Sequence, residues 1–402
     1  MPSALLRSAP PARSQHDGSP GGSRRLDLDV VRGVAILLAL GWHFSPGASG
    51  NAVLDALQWP GHVIGWAGVD LFFVLSGFLM GQLVLRERVR TGRFDGRRFT
   101  LRRLLRLWPM LYVFLAVHAL LGTGPVSSYL WQNALHVQNY AGSSLAHLWS
   151  LAVEEHFYLI LAVFFPLFAR RRASLRLLVG VLVGVLVASL ALRGIGAAAG
   201  VSDVRLQWRT HFRMDSLAAG VLLAVLRTHA PATFERLLRR RWMWAGLTAG
   251  GVAFIAEVGK DGVLGSTLGY TVAYVTGAAF LLMLHGAAWV PRAGWLSRPL
   301  ASLGRHSYGI YIWHVFAAQS VLGWLPGLGY DSTTPLAQLV KYGAATAAGV
   351  LATVVVERPA LRLRDRLLPA TARLGAGSPA PEHSRRPATL PARESSTPRL
   401  AA

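Results

Sequence analysis

The stretch LDVVRGVAILLALGWHF, residues 28–44, combines a run apolar enough for a membrane helix with an arginine and a histidine. Arg32 stands near its start and His43 near its end. A bilayer normally excludes such groups, since each is costly there unless it is paired, hydrated or used in function. The stretch therefore predicts a membrane helix that carries a functional face.

The composition of the 402-residue chain is typical of a multi-span membrane protein. Hydrophobic residues make up 52% of it and charged residues only 15%, and its mean hydropathy is +0.39. These values are too apolar for an ordinary soluble protein. The absence of cysteine excludes disulfides, zinc–thiolate sites and cysteine nucleophiles.

Ten apolar stretches between polar ends predict an all-α integral membrane protein, a bundle of about ten transmembrane helices. Residues 1–24 and the basic, Pro/Ser-rich tail 362–402 are predicted to be mostly disordered, on either side of a transmembrane domain at 25–361. The stretches lie at roughly 30–45, 62–84, 107–122, 147–169, 177–198, 213–227, 242–258, 267–290, 306–325 and 337–356.

The connecting loops predict the orientation in the membrane. Those at 85–106, 170–176, 227–241 and 291–305 hold 21 arginines, whereas the alternating loops hold four Arg or Lys. By the positive-inside rule, both termini are expected in the cytoplasm. Much of the net charge of +22 is then an orientation signal and a contact with anionic lipid rather than a sign of nucleic-acid binding. A cleaved signal peptide at 24–50 is an alternative that Arg32 disfavours.

Arg32 and His43 are expected to share one face of the first helix. They are eleven residues apart, which is about three helical turns and ~16 Å of rise, and Asp29 lies on the same face. Each residue alone has a structural explanation, an arginine that snorkels or a histidine hydrogen-bonded between helices. Their occurrence together on one face favours a function.

Two more arginines stand in RRFTLRRLLRLWPMLY, residues 97–112, where an Arg-rich loop enters the third span. Arg103 and Arg106 are three residues apart and so share a helix face. They could serve only as positive-inside anchors, but two such guanidiniums could also bind a phosphate in bidentate fashion. A phosphorylated cytoplasmic donor such as a CoA ester is therefore a candidate ligand.

The stretch HLWSLAVEEHFYL, residues 147–159, places carboxylates among aromatic residues at a membrane boundary. Ser150, Glu154 and Tyr158 follow one another at intervals of four and share a helix face. The aromatic residues alone would indicate an interfacial belt. A carboxylate within that belt favours a site, in which Glu154 could orient the His43 imidazole or position the acceptor.

Other polar residues interrupt apolar runs farther along the chain. Asp70 lies in GVDLFFVLSGFLMG, residues 68–81, and Arg213 and Asp215 open the sixth span, where Asp215 could merely cap the helix. Supporting or acceptor-site roles are predicted for Asp70, Ser150, Tyr158, Arg213, Asp215, Tyr311, His314 and Glu357.

The last two spans carry the remaining candidates. In RHSYGIYIWHV, residues 305–315, Tyr311 and His314 are three apart, and His314 is interpreted as structural rather than catalytic. Glu357 could pair with a neighbouring arginine, and Pro359 is expected to end the tenth helix. No Walker motif, GxSxG elbow, HExxH motif or dinucleotide fingerprint occurs in the sequence, and no metal site is predicted.

Taken in order, these motifs resemble the membrane acyltransferase family 3, bacterial O-acyltransferases that modify surface glycans, lipid-linked sugars and some macrolides. The chain resembles the stand-alone type that lacks a fused hydrolase domain. The matching pieces span residues 26–359 and are Arg32 with His43 eleven residues later, GVDLFFVLSGFLM, Arg103-x-x-Arg106 followed by Pro109, WSLAVEEHFYL, FRMDSLAAGVLLA, SYGIYIWH and ERP.

The resemblance implies a multi-pass enzyme of the bacterial cytoplasmic (inner) membrane. It would move an acyl group, by default acetyl, from cytoplasmic acyl-CoA, a co-substrate rather than a bound cofactor, to a hydroxyl of a sugar-containing acceptor. The resemblance places Arg32 and His43 in the catalytic motif and Arg103 and Arg106 in the acyl-donor site. Acyl transfer needs a base, and a neutral imidazole is suited to that role, so we hypothesise that His43 is the base. Direct transfer and an acyl-histidine intermediate both remain open.

A multi-span secondary transporter or exporter is the alternative, because polar residues inside a bundle also line translocation paths. The repeated Gly/Pro-broken helices that such proteins often carry in two matching halves are not visible in this sequence. The predicted partners are acyl-CoA, membrane lipids and a hydroxyl acceptor, with no nucleic acid. A surface or lipid-linked glycan is the first candidate acceptor and a macrolide-like metabolite the second.

Overall fold

A computed structural model of the chain describes residues 25–44, 51–122, 124–170, 174–323 and 334–369. The described residues contain no strand, and 88% of them are helical. Short 3-10 or π-helical turns occupy Gly65–Ala67, Val126–Ser128, Ala146–Leu148, Gly265–Gly269 and Thr353–Glu357. The α-helices are α1 (Leu26–Phe44), α2 (Ala52–Ile64), α3 (Gly68–Thr91), α4 (Gly96–Leu120), α5 (Leu130–Ala134), α6 (Gln138–Ala141), α7 (Trp149–Arg170), α8 (Leu175–Ala198), α9 (Asp203–Trp208), α10 (Thr210–His229), α11 (Pro231–Arg239), α12 (Arg241–Val258), α13 (Gly262–Leu264), α14 (Tyr270–Leu284), α15 (Trp289–Arg292), α16 (Gly294–Leu322), α17 (Pro335–Ala352) and α18 (Arg358–Leu367).

Several of these helices are long and apolar enough to cross a membrane. Within the described ranges there are six such segments, or seven if the pair Asp203–His229 and Pro231–Arg239, bent by 113°, forms one span. Helices overlap all ten predicted stretches, but α1, α12 and α16 fall outside this group. The chain is thus a helical, multi-pass membrane protein, while ten spans with both ends in the cytoplasm stay a prediction. The six segments are Ala52–Thr91, Gly96–Leu120, Ala146–Phe168, Leu175–Ala198, Gly262–Leu284 and Pro335–Leu367.

The helices that surround the first span pack in a continuous series. The first helix, α1, lies along α16 and α3, α3 lies along α10, and α10 lies along α8. Glycines allow the closest of these contacts, because a side chain at Gly77 or Gly220 would overlap the backbone of the facing helix. This arrangement fixes the position of α3 beside both α1 and α10.

Replacing Gly220 by alanine is expected to lower the free energy of unfolding by about 1–3 kcal/mol. The added Cβ would lie 2.1 Å from the carbonyl oxygen of Val74 on α3, so the two helices would have to separate. Gly184→Ala on α8 is the matched control, because its Cβ would meet no atom within 4 Å. Thermal unfolding of the detergent-purified variants measures the difference. Equal midpoints for the two variants would show that α3 and α10 separate without penalty.

Local signals between α3 and α4 determine where the arginines of α4 lie. Helix α3 ends where Gly92 adopts a left-handed backbone with φ 71°, which glycine tolerates without strain. Helix α4 begins after Asp95, whose side chain accepts a hydrogen bond of 2.9 Å from the backbone N–H of Arg98. Arg103 and Arg106 consequently lie two to three turns inside α4 rather than in the loop before it.

The prediction that Pro359 ends the last helix is wrong. The chain stays helical from Pro335 to Leu367 and passes through a π-helical turn at Thr353–Glu357. Pro359 lies in the first turn of α18, where its missing N–H does not interrupt the hydrogen-bonding pattern. The helix therefore continues past residue 361, the predicted end of the membrane domain. The predicted disorder of 1–24 and of the tail beyond residue 369 lies outside the described residues.

Candidate active site

A cavity lies among α1, α3, α4, α7 and α16, and many of its polar wall residues are predicted site residues. The structure brings together residues that are far apart in the sequence, because the closely packed helices point these side chains at a common space. The predicted site residues that line this cavity, here called the inner cavity, are Arg32, Arg103, Arg106, Ser150, Glu154, Tyr158 and Tyr311.

The wall formed by α4 and α7 holds the carboxylate of the inner cavity and two of its three arginines. The Arg103 guanidinium lies over the ring of Tyr158, 5.9 Å from its centroid. The Glu154 carboxylate lines the same cavity as the hydroxyls of Tyr158 and Ser76, which hydrogen-bond each other. The role predicted for Glu154, to orient the ring of His43 or to position the acceptor, stays a prediction.

Two hydroxyl groups in the wall of the inner cavity are hydrogen-bonded to each other. The Ser150 Oγ lies 2.7 Å from the Tyr311 Oη, and Tyr311 donates a hydrogen bond of 2.6 Å to the carbonyl oxygen of His147. Both residues line the cavity, whereas His147 lies behind them. Tyr311 thus connects the wall of the inner cavity to a group of histidines.

The histidine group consists of His43 on α1, His147 before α7 and His314 on α16. The ring centroids are 5.0 Å apart for His43 and His314, and 5.2 Å apart for His147 and His314. His314 is fully buried, whereas the side chain of His43 is exposed and lines neither cavity described here. Among the described residues, no group of three or more His, Cys, Asp or Glu is arranged to hold a metal ion.

A second, strongly basic cavity adjoins the inner one. Arg32 and Arg106 line both cavities, and Arg32 is held by an ion pair of 2.9 Å with Asp29 one helical turn earlier. Five arginines and one carboxylate surround this space, here called the arginine cavity. Its charged and hydrogen-bonding wall residues are Arg32, Arg106, Arg305, His306, Thr353, Glu357, Arg358 and Arg364.

The predicted residues Asp70, Arg213 and Asp215 lie away from both cavities, in two buried ion pairs. Arg213 Nη2 is 2.6 Å from Asp70 Oδ1, and Arg193 Nη1 is 2.7 Å from Asp215 Oδ2. The Arg213 guanidinium also stacks on the ring of Tyr270 at 3.8 Å. The alternative that Asp215 caps the sixth span is wrong, because α10 begins at Thr210 and Asp215 lies inside it.

Sequence reasoning missed several residues of these clusters. His147 opens the stretch that supplied Ser150 and Glu154, but no periodicity relates it to His43. Arg193 interrupts an otherwise apolar helix, a signal that could have identified it as a buried ion-pair partner. Arg305 and Arg364 were counted only as loop or tail charges, since they approach Arg106 only in the folded chain.

The fold and the clustered polar residues define a multi-pass helical membrane protein with a polar cavity between its helices. The sequence model of the acyltransferase domain family matches residues 25–358, and the chain belongs to this family, the one that the motifs indicated. It is therefore an acyltransferase enzyme, and the transporter alternative is set aside.

Curated relatives of the chain are bacterial O-acetyltransferases. The peptidoglycan O-acetyltransferase OatA of Listeria monocytogenes is 27% identical over 320 residues, which cover 71% of this chain and 48% of that protein. The O-acetyltransferase OatA of Staphylococcus aureus is 28% identical over 281 residues, 62% of this chain and 45% of that protein. The chain thus spans about half the length of these relatives. No solved structure matches it at a significant level.

Proposed function

We propose that the protein transfers an acyl group, most simply acetyl, from cytoplasmic acyl-CoA to a hydroxyl of a sugar-containing acceptor. The observation that carries this proposal is the arginine cavity and its connection to the inner cavity through Arg32 and Arg106. A donor with several phosphates at one end and a thioester at the other fits two adjoining cavities of this kind.

The arginine cavity has the charge that the phosphates of CoA require. Five guanidiniums face a single carboxylate, Glu357, so the local charge is positive. Arginine binds phosphate oxygens with paired N–H groups and stays protonated in proteins. Residues 291–305, which end at Arg305, form one of the Arg-bearing segments that the positive-inside rule places in the cytoplasm. Cytoplasmic acyl-CoA would therefore enter at this end.

The acyl group would extend from there through the inner cavity toward the histidine group. In the proposed reaction, His43 takes the proton of the acceptor hydroxyl, and the oxygen attacks the thioester carbonyl carbon. The C–S bond breaks, the CoA thiolate leaves, and the imidazolium returns its proton to that sulfur. Tyr311 lines the inner cavity and packs on His314, so the acyl carbonyl would pass the hydroxyls of Ser150 and Tyr311 on its way to His43.

The acceptor is proposed from the chemistry of the relatives. OatA of Listeria monocytogenes is named for the O-acetylation of peptidoglycan, a polymer of sugars and peptides. His43 is exposed at the end of α1 opposite to Arg32, on the side where an acceptor outside the cytoplasm would approach. We therefore propose a surface or lipid-linked glycan as acceptor, a macrolide-like metabolite as the second candidate, and the bacterial inner membrane as the location.

Transfer of radiolabelled acetyl from acetyl-CoA tests this function. Membranes that contain the protein should place the label in a lipid or glycan fraction, and membranes without it should not. Labelled malonyl-CoA and longer acyl-CoA esters, tested in parallel, identify the acyl chain. If the purified protein binds none of these donors and no fraction acquires label from any of them, acyl-CoA is not the donor.

Replacing Arg106 by alanine is expected to raise the KM for acetyl-CoA about 10-fold to 100-fold, because one charge-assisted contact with phosphate is worth about 1.5–3 kcal/mol. The value of kcat should change little if the contact is equally strong in the ground state and the transition state. Arg97→Ala is the matched control, since Arg97 is exposed on the same helix and lines neither cavity. Initial rates over a range of donor concentrations measure both constants, and an unchanged KM would assign Arg106 to membrane orientation alone.

A further inference from the structure

Glu154 lines the inner cavity and His43 does not, so a group that packs directly on His43 is the better candidate to orient its imidazole. A histidine that acts as a base works best when one ring nitrogen donates a hydrogen bond to a fixed acceptor, because this leaves the lone pair of the other nitrogen toward the substrate. In the described part of the chain, the ring packed on His43 is that of His314, at 5.0 Å between centroids.

The hydrogen bonds of His314 determine its tautomer. Its Nδ1 atom lies 2.7 Å from the carbonyl oxygen of Tyr311. A carbonyl only accepts, so Nδ1 carries the hydrogen and Nε2 of the neutral ring carries a lone pair. The Nε2 atom is buried and has no hydrogen-bond partner among the described residues. A buried acceptor of this kind is costly unless a donor reaches it.

The other rings around His314 do not supply that donor. His147 Nε2 is 3.2 Å from the carbonyl oxygen of Ile312, so the single N–H of its neutral ring is already used. The Tyr311 hydroxyl donates to the backbone of His147, and Phe44 has no polar hydrogen. No hydrogen bond to another described residue occupies the His43 ring. The N–H of His43 is therefore the matching donor for His314 Nε2.

We propose that His314 is a positioning residue that accepts a hydrogen bond from His43 through Nε2 and thereby fixes the ring orientation of the base. This inference rests on the proposed role of His43. The two rings are in contact, so a rotation of the exposed His43 side chain brings its N–H to Nε2. Catalytic hydrogen bonds commonly tighten in this way when substrate binds.

The imidazole rings of His43 and His314 have different roles in the proposed reaction. The nitrogen of His43 that does not face His314 accepts the proton of the acceptor hydroxyl, and the nitrogen that faces His314 remains an N–H donor throughout. When His43 is protonated, its positive charge lies against the lone pair of His314, which stabilises the imidazolium. His314 itself gains and loses no proton, because its Nδ1 hydrogen stays on the Tyr311 carbonyl.

Two substitutions at His314 test the proposal. His314→Phe preserves the ring and removes the acceptor, and it should lower kcat about 100-fold with the KM for acetyl-CoA unchanged within twofold. His314→Gln retains an acceptor in its amide oxygen and should lose less than about 10-fold. His118→Phe is the control, since His118 packs on Phe114 and Tyr129 and has no ring contact with His43, and it should keep wild-type kcat.

A second readout does not depend on acyl transfer. Diethyl pyrocarbonate reacts with the free lone pair of a histidine, and mass spectrometry of peptides gives its rate at His43. The His314→Phe variant should slow this modification about 10-fold, because the ring of His43 loses its oriented hydrogen bond, while His314→Gln and His118→Phe should not. All rates are taken on monodisperse protein, and His314→Leu replaces the phenylalanine variant if the latter is not recovered.

The outcomes separate this inference from the proposed function. If His314→Phe keeps more than a third of kcat, or if the Phe and Gln variants lose activity and His43 reactivity equally, His314 does not position His43. If His43→Ala keeps its activity, the base assignment fails whatever His314 does. Loss of activity in His43→Ala with full activity in His314→Phe rejects the inference alone.

Discussion

Replacing His43 by alanine is expected to lower kcat for acetyl transfer about 1000-fold, because general acid–base catalysis typically contributes 10²- to 10⁴-fold. Without the imidazole, the acceptor hydroxyl would have to attack before losing its proton. The KM for acetyl-CoA should stay within about twofold, since His43 lines neither the inner cavity nor the arginine cavity. Radiolabel transfer from acetyl-CoA, per mole of folded enzyme, measures the loss.

A matched control for this substitution lies on the neighbouring helix. His62 is exposed on α2, which packs against α1, and it lines neither cavity. His62→Ala should transfer acetyl at the wild-type rate. Equal labelling by His43→Ala and the wild type would make the pair Arg32 and His43 a structural feature of α1, and Glu154, the carboxylate of the inner cavity, would then be tested as the base.

Replacing Asp70 by alanine is expected to lower the free energy of unfolding by about 3–5 kcal/mol, the usual loss when one partner of a buried ion pair is removed. Asp70 is fully buried and Arg213 is 1% exposed, so the substitution would leave a guanidinium in the core without its countercharge. Ser216, which donates a hydrogen bond of 2.8 Å to the same carboxylate, would lose its acceptor as well. Thermal unfolding midpoints in detergent measure the change.

An exposed ion pair in the same chain provides the comparison. Lys260 and Asp261 are in contact at 2.5 Å, but the Asp261 side chain is 64% exposed. Asp261→Ala should therefore cost less than about 1 kcal/mol. The double variant Asp70→Leu with Arg213→Leu should recover part of the loss, because it removes the uncompensated charge. If Asp70→Ala unfolds at the same midpoint as Asp261→Ala, water reaches this part of the bundle, and the Arg213 guanidinium does not need Asp70 as a countercharge.

The sequence indicated the fold class and the family for reasons that are local in the chain. Apolar runs of bilayer length, the unequal distribution of arginine between loops and the spacing of motifs can all be read without knowing which helices touch. Residues that share a helix face can also be recognised from the sequence, because residues three or four apart on a helix remain neighbours in any fold. Arg103 and Arg106 do line one cavity, and Ser150, Glu154 and Tyr158 line it as well.

The structure alone decided which of these faces meet. A contact between Glu154 and His43 was predicted from the sequence, yet Glu154 lines the inner cavity whereas His43 lies outside it and packs on His314. Asp70 and Arg213 are 143 residues apart in the chain and form one buried pair. Such contacts depend on which helices pack against each other, and the periodicity of a single helix does not specify its neighbours.

The sequence by itself therefore determined that this protein is a helical, multi-pass membrane acyltransferase and which residue types its site contains. The tertiary structure decided that the arginines of α1, α4, α16 and α18 surround one space, and that His43 lines neither cavity and packs on His314. The physical reason is that helix formation follows local hydrogen bonding and hydropathy, whereas a cavity exists only where several helices pack together.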